Sequence, residues 1–180
     1  MSPGSVIANY KFVGYVNAMV SQTLAEIQLA EFYNPTGDGL YEEGGIFPVG
    51  QAKPKALLID IASVWCGPCN YEADQVLPGL YTKYKPMNGE FLLQLFDGPT
   101  PGVAAKQNSL TSWVNKYDVD YPATLDPASK LGALFEADAF PTNMIIDTRT
   151  MKIVEVIAGA PEPGSSFWKL YEKVLAGTAP

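Results

Sequence analysis

Long apolar runs divide the chain from residue 55 onward into blocks that predict strands. Residues 56–62 are apolar with one polar exception and show no polar alternation, which is typical of a central strand buried on both faces. A second run of this kind covers residues 91–96. Residues 143–147 and 152–157 flank a short turn and therefore predict a β-hairpin.

Helical spacing of apolar residues predicts three helices between and after these strands. The first begins near residue 66 and is expected to kink at Pro78, because a proline inside a helix lacks the backbone N–H. Asp126 and Pro127 predict a further helix over residues 128–135, as an N-cap followed by proline at the first position. The apolar positions of the three helices are Tyr71, Val76, Leu77, Leu80, Tyr81 and Tyr84; Leu110, Trp113, Val114 and Tyr117; and Phe167, Leu170, Tyr171, Val174 and Leu175.

Residues 1–50 differ from the rest, since they are rich in Gly, Tyr and Asn with turn-forming clusters at residues 34–39 and 43–45. They predict short strands and loops, an N-terminal β extension packed on the same domain as residues 51–180. From residue 51 the elements follow the order strand, helix, strand, helix, helix, strand, strand, helix. This order predicts an α/β protein whose central mixed β-sheet carries helices on both faces.

Composition and charge narrow the function. The chain has 180 residues and a net charge of −7 without a cluster of Lys or Arg, which argues against nucleic acid as a partner. No run of about 18 apolar residues occurs, so we expect no transmembrane segment, and residues 1–4 lack signal-peptide character. Histidine is absent, which excludes Ser-His-Asp and Cys-His catalysis and metal sites built on imidazole. We expect no metal and no cofactor.

The two cysteines lie three residues apart, directly after the predicted strand and where a helix is expected to begin. Unpaired N–H groups and the helix dipole in a first turn stabilise a thiolate, so the pKa of Cys66 is expected to fall from about 8.5 toward 7 or lower. Cys69 lies one turn further on the same face, in position to attack a mixed disulfide formed at Cys66. Pro68 fits the first turn, where its missing N–H would be unpaired. The pattern indicates thiol–disulfide exchange.

Both the cysteine pair and Asp60 also have purely structural interpretations. The cysteine pair could be half of a zinc site, but zinc needs about four ligands and the chain has no second pair and no histidine. It could be an inert disulfide, although so short a loop constrains the unfolded chain little. Asp60, the one carboxyl in the first apolar run, is either a hydrogen-bonded strand residue or a proton acceptor for Cys69.

Residues 58–69 resemble the active-site segment of thioredoxin-fold proteins, with Trp before the first Cys, Gly-Pro between the cysteines and Asp six residues earlier. Residues 139–147 resemble the cis-proline segment of the same superfamily. The long stretch over residues 97–135 is more similar to the TlpA-like and peroxiredoxin-like (redoxin) branch. The resemblance covers roughly residues 50–178 and implies the thioredoxin fold with an insertion before the cis-proline strand.

The resemblance also implies roles for individual residues. Cys66 and Cys69 would be the catalytic pair, with Asp60 as proton acceptor. A cis Pro141 would face the disulfide while the backbone before it pairs with the substrate chain. The substrate-binding residues implied are Trp65, Gly67, Pro68, Phe140 and Pro141.

Three positions depart from the superfamily's pattern. Pro78 lies about one turn later than usual in the helix. Phe140 replaces the small or β-branched residue usual before the cis-proline. Gln94 is the expected counterpart of a lysine that minimal thioredoxins place near the buried Asp, so the tuning of that carboxyl is expected to differ.

These features predict a thiol–disulfide oxidoreductase that reduces protein disulfides, is regenerated by a thiol electron donor and is a monomer. TlpA-like proteins usually work outside the cytoplasm, so the bacterial periplasm or cell envelope is favoured, with the cytoplasm as the alternative. A peroxiredoxin-like peroxidase stays open, although Ile59 stands where its motif needs proline and Ser63 where it needs threonine. A non-catalytic thioredoxin-like binding module, such as a copper carrier, is the other alternative, and the cysteine spacing disfavours it.

Overall fold

The computed structural model describes residues 2–128, 130–131 and 140–179. Seven strands form one mixed sheet: β1 (Lys11–Tyr15), β2 (Ala25–Gln28), β3 (Ala56–Ala62), β4 (Gly89–Leu95), β5 (Ala123–Leu125), β6 (Thr142–Asp147) and β7 (Lys152–Ala158). Their spatial order is β2-β1-β5-β4-β3-β6-β7. The three strands β3, β4 and β5 are parallel, and the other neighbouring pairs are antiparallel.

The two long apolar runs are confirmed as the central strands β3 and β4. All seven residues of each strand are buried, because both faces of the sheet are covered at this point. The predicted hairpin is confirmed as β6 and β7. The sequence analysis does not predict β5, whose three residues are too few to set up a recognisable pattern.

Within the described residues, four α-helices accompany the sheet: α1 (Gly67–Tyr71), α2 (Leu77–Tyr84), α3 (Gln107–Lys116) and α4 (Ser166–Ala176). A π-helical turn over Glu72–Val76 joins α1 to α2, where the N–H of Leu77 bonds to the carbonyl of Glu72 five residues earlier. The kink predicted at Pro78 is therefore a π turn just ahead of the proline, which occupies the first turn of α2. No helix within the described ranges is long and apolar enough to cross a membrane.

The two faces of the sheet are covered in different ways. Side chains of α2, α3 and α4 pack with one set of strand residues, among them Leu58 and Phe91. The alternate strand residues, among them Leu57 and Ile59, pack with the 3₁₀-helix Leu29–Phe32, with aromatic residues of the N-terminal segment and with Leu131. The N-terminal segment thus covers much of the second face and also adds β1 and β2 to the sheet. The division of the chain at residue 50 stays a prediction.

The helix predicted after Asp126 lies largely outside the described residues. Within them, the Asp126 carboxylate accepts hydrogen bonds from the N–H groups of Lys130 and Leu131, at 2.9 and 2.8 Å. Asp126 therefore satisfies backbone donors of the segment that follows it, which is the chemistry expected of a capping side chain.

Candidate redox site

The cysteines lie where β3 ends and the first helix begins. Cys66 has an extended backbone and is the N-cap of α1, and its Sγ accepts a hydrogen bond from the N–H of Cys69 at 3.1 Å. The two cysteines form a disulfide and are buried, whereas Gly67 and Pro68 are exposed on the first turn. A backbone N–H directed at a sulfur in the first turn of a helix is the kind of arrangement that stabilises a thiolate.

Trp65 is held beside the disulfide by Asp97, for which the sequence analysis predicts no role. Its indole N–H donates to the Oδ2 atom of Asp97 at 3.1 Å, and the N–H of Gly102 donates to the same oxygen at 2.8 Å. Asp97 is buried, while Trp65 is 40% exposed. The carboxylate therefore fixes the orientation of an aromatic surface next to Cys66.

The cis-proline segment meets Trp65 through Phe140. The peptide bond between Phe140 and Pro141 is cis. The Phe140 ring packs edge-on against Trp65, with centroids 6.1 Å apart, and stacks on Phe96 at 5.5 Å. These two contacts explain how a large side chain is accommodated before the proline. The fold thus brings the Trp65–Pro68 segment and the Phe140–Pro141 segment together at one surface.

Asp60 belongs to a buried polar cluster on the same side of the sheet as the cysteine helix. It faces this side because its neighbours in alternation, Leu58 and Ala62, pack with both cysteines. Directly opposite it on β6 is Asn143, whose amide donates to Oε1 of Glu72 at 2.9 Å. Glu72 follows Cys69 by three residues, on the buried face of the helix.

Burial dominates the acid–base properties of these two carboxyls. It raises the pKa of Asp60 to about 7. Burial and then the charge of Asp60 raise the pKa of Glu72 to about 9, partly offset by the hydrogen bond from Asn143. Among the described residues, neither Asp60 Oδ1 nor Glu72 Oε2 has a hydrogen-bond partner. Burial of both groups, and the charge of Asp60 acting on Glu72, favour a protonated carboxyl in this pair at a higher pH than in water.

The expectation that Gln94 is the residue facing Asp60 from the next strand is wrong. In the parallel register of β3 and β4, Asp60 lies beside Leu93, whereas Gln94 lies beside Ile61. Because side chains alternate along a strand, Gln94 points to the opposite face of the sheet. The carboxyl of Asp60 therefore has an apolar neighbour on β4 instead of a polar one, and burial raises its pKa without a compensating group there.

Asn70 connects the cysteine loop to the insertion helix α3. Its amide group donates to the carbonyl oxygens of Val64 and Cys66, at 3.0 and 2.7 Å. Its Oδ1 accepts hydrogen bonds from the hydroxyl of Tyr117 and, at 3.3 Å, from the ammonium of Lys116. The end of α3 thus orders the loop that carries Cys66.

We expect removal of this connection to loosen the loop. Replacing Tyr117 with Phe should lower the free energy of unfolding by about 1 kcal/mol, because a partly buried hydrogen bond is lost. Asn70→Ala should lower it by about 2 kcal/mol. Urea unfolding of the oxidised protein measures both. Tyr71→Phe, at an exposed tyrosine on the neighbouring helix, is the matched control; a Tyr117→Phe effect no larger than that of the control would contradict the expectation.

Among the described residues, no group of three or more His, Cys, Asp or Glu side chains could hold a metal ion.

Fold and site together define the class: this is a thioredoxin-fold protein with a Cys-x-x-Cys disulfide at the start of the helix that follows its central strand. Over 117 residues the chain is 28% identical to the thiol-disulfide oxidoreductase ResA of Bacillus cereus, a match covering 65% of this chain and 62% of ResA. The chain thus accounts for less than two thirds of that relative's length. The predicted resemblance to redoxin-type thiol–disulfide oxidoreductases is confirmed.

Solved structures agree on the fold. One is a Chlorobium tepidum protein provisionally assigned as the thiol:disulfide interchange protein DsbE, with a TM-score of 0.68 and 16% identity over 97% of this chain and 99% of that one. Another is a secreted Mycobacterium tuberculosis disulfide oxidoreductase homologous to E. coli DsbE, with a TM-score of 0.57 and 14% identity over 93% and 96%. No protein-family model matches the chain.

Proposed function

We propose that this protein is a thiol–disulfide oxidoreductase that reduces disulfides of protein substrates through Cys66 and Cys69. The observation that carries the proposal is the disulfide at the N-cap of α1, where the N–H of Cys69 points at the Sγ atom of Cys66. That arrangement favours the thiolate at Cys66 over Cys69, which supports Cys66 as the attacking sulfur and Cys69 as the resolving sulfur.

The proposed reaction has two exchange steps. The Cys66 thiolate attacks one sulfur of the substrate disulfide, that disulfide breaks, and one substrate thiolate leaves and takes up a proton. Cys69 then loses its proton to the Asp60–Glu72 pair and attacks the Cys66 sulfur of the mixed disulfide. The second substrate sulfur leaves as a thiolate and takes up a proton, equivalent to the one that Cys69 gave up. The substrate has then gained two electrons and two protons, and the Cys66–Cys69 disulfide has formed. A thiol donor of the same chemistry reverses these steps and restores the dithiol.

Substrate binding is proposed for the surface formed by Trp65, Gly67, Pro68, Phe140 and Pro141. The exposed Gly67 and Pro68 leave one side of the cysteine loop open. The indole of Trp65, held by Asp97, supplies a fixed aromatic edge against which an extended substrate chain can pack. In this proposal the backbone before Pro141 pairs with that chain as an added strand. A monomer suffices, since every proposed site residue belongs to one chain.

The proposal predicts that the protein accelerates insulin reduction by dithiothreitol, followed as turbidity from the released B chain. A sample whose cysteines have been alkylated after reduction is the control and should show the uncatalysed lag. If the untreated and alkylated proteins give the same lag, the proposal fails. Stopped-flow mixing of the dithiol form with hydrogen peroxide separates the peroxidase alternative, which requires rapid stoichiometric oxidation of Cys66.

A further inference from the structure

A cavity of about 690 Å³ lies at the end of the sheet opposite the cysteines. The cysteines follow the last residue of β3, whereas the cavity reaches Glu90 at the beginning of the parallel strand β4. Its walls come from residues 16–25, from the loop 46–51 and from residues 120–122. The volume falls within the range of small-molecule sites, about 300–1,000 Å³. The redox site makes no use of this space.

The walls of this cavity are largely apolar, and part of that surface is open to water. Val20 and Val49 come from separate segments, line the same cavity and are 84% and 65% exposed. Val16 and Phe47 continue the apolar wall inward. Apolar groups that converge on a concave surface while staying exposed are typical of a binding site, since an apolar ligand would remove them from water.

The charged side chains that line the cavity have a net negative charge. Glu90 is 3% exposed, pairs with the ammonium of Lys85 at 2.5 Å and accepts a hydrogen bond from the Tyr81 hydroxyl at 2.9 Å. Lys85 is thereby neutralised. Asp120 also lines the cavity, and no described Lys or Arg forms an ion pair with it. Partial burial raises the pKa of the Asp120 carboxyl. Asp120 is exposed, and the charge of Lys85 also acts on it. The lining therefore holds two carboxylates and one ammonium, which is a net charge of −1.

We propose that this cavity binds a small amphipathic ammonium compound, with its apolar part between Val20, Val49 and Phe47 and its ammonium group at Asp120. The apolar walls supply the affinity through surface burial, and the unpaired carboxylate selects the cationic head over a neutral or anionic one. The site is independent of the cysteines, so the inference does not depend on the proposed redox function.

Three probes of similar size and different charge test the inference: 2-phenylethylammonium, 2-phenylethanol and 3-phenylpropanoate. Each is titrated into the oxidised protein and followed by amide chemical shifts. The ammonium probe is expected to bind in the millimolar range, the neutral probe about fivefold more weakly, and the anionic probe more weakly still. Shifts should be confined to residues of the cavity.

Asp120→Asn should lower the affinity for the ammonium probe about fivefold and leave the affinity for the neutral probe unchanged. Asp118→Asn is the matched control, because Asp118 is exposed and outside the cavity lining; it should leave both affinities unchanged. Equal binding of all three probes, no binding of any, or equal effects of the two variants would overturn the inference. Formation of a dimer at higher protein concentration, with Val20 and Val49 buried in it, would also overturn the inference. The cavity would then be an interface between two copies of the chain.

Discussion

Replacing Cys66 with Ser is expected to abolish disulfide reduction, lowering the rate of insulin reduction by at least about 10³-fold. A serine hydroxyl at this N-cap can still accept the hydrogen bond from the N–H of Cys69, so local structure should be kept while the sulfur nucleophile is lost. Cys69→Ser should also stop turnover, but for another reason: the first exchange still occurs, and no sulfur is present to resolve the mixed disulfide.

The two variants therefore differ in what they accumulate. Cys69→Ser, incubated with a disulfide substrate, should gain the mass of one substrate chain at Cys66, and dithiothreitol should release it. Cys66→Ser should gain no such adduct at a comparable rate. Both variants lack the same short disulfide, so a general loss of stability affects them equally and cannot produce the difference. Faster adduct formation on Cys69 would reverse the assigned roles of the two sulfurs.

The strongest predictions from sequence came where burial leaves a simple pattern. β3 and β4 are buried on both faces, so apolar residues are favoured at every position and the runs at 56–62 and 91–96 can be recognised without other information. The cysteine pair can be recognised in the same way, because its chemistry depends on spacing and on a helix start. β5 shows the opposite case, since its three residues are set by pairing with β1 and β4.

The side chains around the cysteines were harder to predict, because their roles depend on register and on contacts distant in sequence. Glu72 is an ordinary acidic residue in a helix until the fold buries it next to Asp60 and Asn143. Its position three residues after Cys69, on the face of the helix that packs on the sheet, was the available signal. Asp97 has no comparable signal, since it meets Trp65 across 32 residues.

The misassignment of Gln94 has the same origin. Placing a residue opposite Asp60 requires the register between two parallel strands, and a shift of one position moves a side chain to the other face of the sheet. An apolar run buried on both faces contains no alternation from which to read that register. The observed register places the apolar Leu93 beside Asp60, so no polar group on β4 offsets the burial that raises the pKa of this carboxyl.

Asp60→Asn is expected to stabilise the oxidised protein while slowing its reaction. Burial in the fold raises the pKa of Asp60 from its ordinary value of 3.8, which applies to the unfolded chain, to about 7. Between these two pH values the folded protein therefore binds more protons than the unfolded chain. The contribution of Asp60 to the free energy of unfolding should therefore fall as the pH rises from about 4 to about 7 and stay low above that, while Glu72 contributes a further fall up to about pH 9. Asparagine does not titrate, so the variant does not lose this stability. We expect its free energy of unfolding to exceed that of the wild type by about 2–4 kcal/mol at pH 8, and the difference should shrink toward pH 4.

Urea unfolding across this pH range measures the gain in the free energy of unfolding. Asp74→Asn is the control, because Asp74 is an exposed carboxyl in the π-helical turn that also contains Glu72, and it should change the free energy of unfolding little. The same Asp60→Asn variant should resolve the mixed disulfide about 10²-fold more slowly, because Cys69 has lost a proton acceptor. In the wild type this step should accelerate as the pH rises through about 7, where Asp60 becomes ionised, and the variant should lose that inflection. A variant that gains stability at pH 8 but keeps the wild-type rate and pH profile would make Asp60 a structural residue and leave Glu72 as the proton acceptor.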